Sequence, residues 1–226
     1  MPITTKQYVD LVKQKPWEKI KEIFKDVKTV SIEKQTQIDI NSNDWIQFTV
    51  DNIDSVQEKY EKPKDHYSEI SNILATINNQ LGRDSGNTSE FNYGMVGNTN
   101  EKLIELLGKS NIEKLRLYPK YILMRLIVKM PGHGIAWHID DAGSYAMKFP
   151  ELEFDNKKRC KYGRAVRYWF PVCDWEDGHA MQISNTVITH WKPGDTYIIP
   201  WGQGHASSNF GYVPQYTVSL TGLIDD

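Results

Sequence analysis

Beyond residue 118 the chain is cut into eight short runs with strand character, and their punctuation limits the fold more than any other feature. The runs are 121–130, 134–139, 165–173, 179–184, 186–191, 195–200, 204–209 and 215–223. Tyr216-Thr217-Val218-Ser219-Leu220 alternates apolar and polar side chains, as a half-buried strand does. Pro131-Gly132-His133-Gly134 and Trp191-Lys192-Pro193-Gly194-Asp195 read as tight turns between runs. Eight short strands punctuated in this way imply a jelly roll or barrel. The longest interruption, Asp141 to Arg164, is mixed and polar. Loops of that length at a barrel mouth are functional or disordered.

Ahead of residue 118 helical spacing dominates. Trp17, Ile20, Ile23, Phe24 and Val27 recur behind Pro16, a good first-turn residue. Tyr67, Ile70, Ile73, Leu74, Ile77 and Leu81 do the same, with Gly82 as the stop. Asn98 and Glu101 resemble a capping box ahead of Leu103, Ile104, Leu106 and Leu107, which Gly108 ends. Between the first two stretches, Trp45-Ile46-Gln47-Phe48-Thr49-Val50 alternates like a strand. These apolar stripes read as core. The expected organisation is one folding unit: mainly helical segments over 1–117 packing on a β core over 118–226.

The chain has 226 residues, enough for a normal core, and is nearly neutral, with 27 Lys and Arg against 29 Asp and Glu. No basic stripe suits a phosphate backbone, which disfavours a nucleic-acid partner. Cys160 and Cys173 form no CxxC pair or disulfide framework, and free thiols fit a reducing compartment. The first twenty residues hold no apolar signal core, and no apolar run approaches a membrane span. The expected location is the cytoplasm.

Trp137-His138-Ile139-Asp140, with Gly204-His205-Ala206 far downstream, carries the chemistry. Residues two apart on a strand share a side, so His138 and Asp140 can reach one metal. Two imidazoles and one carboxylate hold one face of a divalent iron and leave the opposite positions open. The simpler reading is a buried histidine hydrogen-bonded within a sheet. His133, His179 and His190 lack ligand spacing to a second metal and read as local hydrogen-bonding groups. Asn209 reads equally well as a group behind the ligands or as a strand-end turn. Trp137 and Trp169 are candidates to shape a small pocket.

The segments MRLIVKMPGHGIAWHIDD, RYWFPV, WKPGDTYIIPWGQGHASSNFG and QYTVSLTGL, in that order, resemble the iron(II)/2-oxoglutarate-dependent dioxygenases. The closer likeness is to their aspartyl/asparaginyl β-hydroxylase-like branch, over residues 121–223. The resemblance implies an α+β protein with a double-stranded β-helix (jelly-roll or cupin-like) core and N-terminal helices packed on one sheet. It implies His138, Asp140 and His205 as ligands of Fe(II). It implies 2-oxoglutarate as a cosubstrate that chelates iron and is decarboxylated to succinate while a substrate C–H is hydroxylated. The substrate implied is an amino-acid side chain, a peptide or a small molecule.

Relatives usually carry an arginine at the start of the closing strand for the far carboxylate of 2-oxoglutarate; here that position is Gln215. Glutamine hydrogen-bonds a carboxylate but does not neutralise it. The resemblance points instead to Arg167, which shares a strand face with Trp169, with Gln215 and Thr217 assisting and Arg125 in reserve. Arg167 in a plain surface ion pair is the simpler alternative. Two rival functions stay open: a cupin-type metalloenzyme with a different cosubstrate, and a non-catalytic metal- or ligand-binding β-domain.

Overall fold

The computed structural model describes residues 18, 30–52, 56–61, 91–96, 100–132, 134–140 and 142–225, and of 56–61, 91–96 and 136–138 it describes the backbone alone. The helices expected over 17–27 and 67–81, the cap at Asn98, and His133 lie outside the described residues, apart from the helical Glu18. The chain divides into two compact units. One is Met1–Lys28 with Lys59–Asn92; the other is Thr29–Glu58 with Tyr93–Asp226. The second unit holds nearly all the described residues.

Its strands are β1 (Lys34–Gln37), β2 (Val56–Glu61, which begins there), β3 (Phe91–Val96, which ends there), β4 (Leu117–Lys129), β5 (Gly134–His138), β6 (Arg159–Cys160), β7 (Gly163–Pro171), β8 (His179–Ile183), β9 (Thr186–Ile188), β10 (Asp195–Ile198), β11 (His205–Asn209) and β12 (Gln215–Ile224). Its helices are α1 (Ser42–Asp51), α2 (Asn100–Leu107), α3 (Lys109–Lys114) and α4 (Gly143–Lys148).

The strands form two antiparallel sheets. The larger runs β1-β10-β7-β12-β4-β3-β2, with β6 on β7; the smaller runs β5-β11-β8-β9. The eight strands read from the sequence are β4, β5, β7, β8, β9, β10, β11 and β12. Numbered one to eight, they place strands six, three, eight and one in the larger sheet and two, seven, four and five in the smaller. This interleaving defines a double-stranded β-helix. β1 and β3 enter the larger sheet from ahead of residue 118, so the sheet draws on both sides of that boundary.

The alternation of β4 decides its two faces. Ile122, Met124 and Leu126 lie on one side with Val166, Tyr168 and Phe170 of β7 and Val218 and Leu220 of β12. Trp45 of α1, Leu103 and Leu107 of α2 and Ile112 of α3 cover this side, so the helices pack on one sheet. The ring of Trp45 meets that of Phe170 edge-on at 6.2 Å. Asn100 fixes α2 to β4 by accepting from the Met124 amide at 2.7 Å and donating to the Ile122 carbonyl at 3.1 Å.

The strand expected over Trp45–Val50 is instead the middle of α1. Asn41 caps it, accepting from the Asn43 amide at 3.2 Å, and Thr49 Oγ1 donates back to the Trp45 carbonyl at 3.0 Å. Trp45 and Thr49 are its buried residues, a spacing of four that the period-two reading hid. The 141–164 stretch is not a plain loop either. α4 and a short 3-10 turn, Pro150–Leu152, put Tyr145, Phe149 and Leu152 into a cluster with Ala165 and Leu223. Among the described residues no helix is long and apolar enough to cross a membrane.

Candidate metal centre

His138 ends β5 and His205 begins β11, and the two are paired across neighbouring strands of the smaller sheet. The register slips between His205 and Ser207, a bulge against β5 beside the pair. Bulges of this kind turn the chain locally and re-aim side chains. The backbone of His138 is described and its side chain is not. Among the described residues no complete three-ligand cluster is present.

Two of the three expected ligands come together. Asp140 Oδ2 lies 3.3 Å from His205 Nε2. Two ligands at right angles around a metal, each bonded at about 2.1 Å, stand about 3 Å apart. The observed gap is of that size. The tautomer matches as well. His205 Nδ1 sits 3.3 Å from the Gln203 carbonyl, and a carbonyl only accepts, so Nδ1 carries the proton. A neutral ring in this tautomer would turn the Nε2 lone pair towards the carboxylate oxygen, and an imidazole nitrogen beside a carboxylate oxygen is a donor set that fits a divalent metal.

Arg167 is the third party. Its Nη1 donates to the same Asp140 Oδ2, while its guanidinium carbon lies 5.3 Å from the centre of the Trp201 ring. The Arg167 side chain is 3% exposed and that of Asp140 40%. Arg167 is therefore turned towards the Asp140 carboxylate, and it links β7 of the larger sheet to the segment just past β5. Sequence reasoning singled out Arg167 for the far carboxylate of 2-oxoglutarate; the structure pairs it with Asp140, which nothing in spacing foretold.

The remaining site residues fall into two groups. Trp169 sits in an apolar cluster with Met181, Ile183, Ile188, Trp191 and Ile199, edge-on to Trp191 at 5.3 Å. Gln215 and Thr217 lie on the inner face of β12, opposite Lys129 and Ile127 of β4. Lys129 Nζ donates to Thr217 Oγ1 at 3.2 Å. Lys129 is 1% exposed, and burial pulls its ammonium down to about 7. Sequence reasoning passed over it, since a lysine ending a strand before a Pro-Gly turn reads as solvated. Arg125 donates to Ser144 Oγ at 2.9 Å, across to α4.

Asn209 resolves as a loop clamp. Its amide donates to the Lys129 carbonyl at 2.7 Å and the Val213 carbonyl at 2.8 Å, and its oxygen accepts from Gly211 N at 3.0 Å. His179 Nε2 contacts the Val213 carbonyl at 3.1 Å, and His190 stacks on Trp175 at 4.0 Å.

No family model matches this chain, and no curated protein matches it in sequence. Similar solved structures include a predicted oxalate decarboxylase from Thermotoga maritima, 12% identical, covering 60% of this chain and 84% of that one at a TM-score of 0.34. Another is an uncharacterized conserved protein with a double-stranded β-helix domain from Klebsiella pneumoniae, 20% identical, covering 45% and 67% at 0.29. A third is a non-heme monooxygenase, ThoJ, as its nickel complex, 16% identical, covering 45% and 42% at 0.32. Likenesses this distant carry nothing about activity; the interleaved strand order of this chain is what defines its fold.

Proposed function

We propose that this protein is an iron(II)- and 2-oxoglutarate-dependent oxygenase that hydroxylates an unactivated C–H of an amino-acid side chain or small molecule. The observation that carries the reading is the 3.3 Å approach of Asp140 Oδ2 to a His205 Nε2 whose other nitrogen is held by Gln203, with His138 in register on the next strand. His138, Asp140 and His205 would hold the iron. With 2-oxoglutarate and dioxygen bound, that iron would supply the oxidising chemistry, one oxygen atom going to the substrate carbon and the other to succinate as carbon dioxide leaves.

The chain's own groups orient this chemistry. Gln203 fixes the His205 ring so that Nε2 points inward. Arg167 holds one oxygen of Asp140 and sets the carboxylate's angle. Trp201 braces Arg167 and donates its own indole N–H to the Ala165 carbonyl at 2.9 Å.

A second reading has one observation in its favour. Gln215 stands where a cosubstrate-binding arginine is expected, which favours a cupin-type metalloenzyme with another cosubstrate. The test is anaerobic titration of metal-free protein with Fe(II), then addition of 2-oxoglutarate and oxygen. The proposal expects tight iron binding and slow succinate formation even without substrate, both lost in His205→Ala. Iron binding with no succinate supports the second reading, and iron affinity unchanged in His205→Ala removes the site.

A further inference from the structure

The interior between the two sheets is divided. On the β7 and β8 side it is filled by the apolar cluster of Trp169, Met181, Ile183 and Trp191. On the β4 and β12 side the inward face is polar. Gln215 lies opposite Lys129, Thr217 opposite Ile127, and Ser219 opposite Arg125. Ile127, Ser219 and, on β11, Ser207 remain only half-buried, so this side of the interior is not packed shut.

At the deep end of the polar side sit three groups that hydrophobic packing does not explain. Lys129 is buried, and its hydrogen bond goes to a neutral hydroxyl, Thr217 Oγ1. No salt bridge to it appears among the described residues. Gln215 is fully buried; its amide reaches the Ser208 carbonyl at 3.5 Å, while its Oε1 has no partner among the described residues. A buried ammonium without a counter-charge is costly, and proteins keep one where an anion completes it.

We infer that Lys129, with Thr217 and Gln215, is the carboxylate-binding end of the ligand site, and that it takes the far carboxylate of a five-carbon 2-oxo diacid whose other end lies at the metal. The cation has moved across the sheet. Directly opposed residues of an antiparallel pair have β-carbons about 5 Å apart, so a lysine at 129 brings its charge to the place an arginine at 215 would. The span agrees. Gln215 reaches Ser208, three residues or about 10 Å along β11 from His205. A metal bond of about 2 Å, an extended five-carbon chain of about 5 Å and a hydrogen bond of about 2.8 Å cover the same distance.

This inference rests on the metal-centre reading and has its own consequence in protons. Cys173, just past β7, is the titratable group among the described residues whose charge acts on Lys129; burial holds its thiol up, so it stays neutral near pH 8. At that pH the free Lys129 is mostly uncharged and the carboxylate-bound form is charged, so binding takes up about one proton.

The experiment is calorimetry on Mn(II)-loaded protein without oxygen, at pH 8, in two buffers of different ionisation enthalpy. The probes are 2-oxoglutarate and pyruvate, which lacks the far carboxylate. Wild type is expected to prefer 2-oxoglutarate by roughly 30-fold or more, with the proton uptake above. Lys129→Met should cut the preference to about threefold or less, abolish the uptake and leave Mn(II) affinity unchanged. Lys129→Met with Gln215→Arg should restore at least about tenfold. If Lys129→Met does not fold, Thr217→Val carries the test and should weaken 2-oxoglutarate by about fivefold or more. A Lys129→Met protein that binds Mn(II) and 2-oxoglutarate as wild type does overturns this inference alone. A wild type that binds Mn(II) and neither acid overturns it together with the proposed cosubstrate.

Discussion

Lys129 shows how one residue ties the fold to the site. Burial lowers its ammonium from 10.5 to about 7, so between those values the unfolded chain holds a proton that the folded chain lacks. Without metal or ligand, stability should therefore rise as pH climbs from about 7 towards 10, with the full penalty present below about 7. The shift corresponds to a penalty on the order of 5 kcal/mol at most. Lys129→Met keeps the volume and removes the charge. It should be more stable than wild type at pH 7, and the difference should shrink by pH 9.5. Urea melts at the two pH values check this, and a constant difference would show that Lys129 keeps an ordinary pKa.

At the scale of elements, the turn from Trp191 to Asp195 was readable from Pro193-Gly194 and shows why. Gly194 has φ of +80°, and its carbonyl accepts from the Ile38 amide at 3.0 Å. A β-carbon there would stand 2.1 Å from the Ile38 carbonyl oxygen. Gly194→Ala should cost more than about 1 kcal/mol from the left-handed backbone alone, and the clash adds to it. Its specific mark should be faster amide exchange at Ile38, with metal affinity kept. Equal exchange there in both proteins would show that the turn does not hold the segment after β1.

The eight strands of the double-stranded β-helix were legible from their strand-forming runs and from turn residues between them, such as Pro131-Gly132 and Pro193-Gly194. β1 was not, because Lys34-Gln35-Thr36-Gln37 has no apolar alternation and owes its place to pairing with β10. Trp45–Val50 misled because six residues sample two periods at once, and Asn41, the cap, lay outside the window. The approach of Asp140 to His205 was legible from type and order. The Arg167–Asp140 pair and the Lys129–Gln215 opposition were not, since both arise from register between distant strands.

For the whole molecule, the proposed metal centre would join parts that are otherwise held separately. His138 ends β5, Asp140 follows two residues later and reaches Arg167 on β7, and His205 opens β11, so a metal there would brace both sheets at one end. A ligand that binds only the folded state stabilises it by about 2.7 kcal/mol at a hundred times its dissociation constant. For a domain of this size each kcal/mol moves the melting temperature by about 2–4 °C, so saturating Fe(II) or Mn(II) should raise it by roughly 5–10 °C. If the two units melt separately, only the transition of the second should move. His205→Ala should lose the rise. Asn209→Ala removes three side-chain hydrogen bonds to backbone groups away from the proposed metal, so it should lower the starting temperature yet keep the rise. Calorimetric scans of the three proteins across a metal titration separate a ligand from a fold-supporting residue. A wild-type transition indifferent to millimolar metal would leave the 3.3 Å approach of Asp140 to His205 as a structural polar contact.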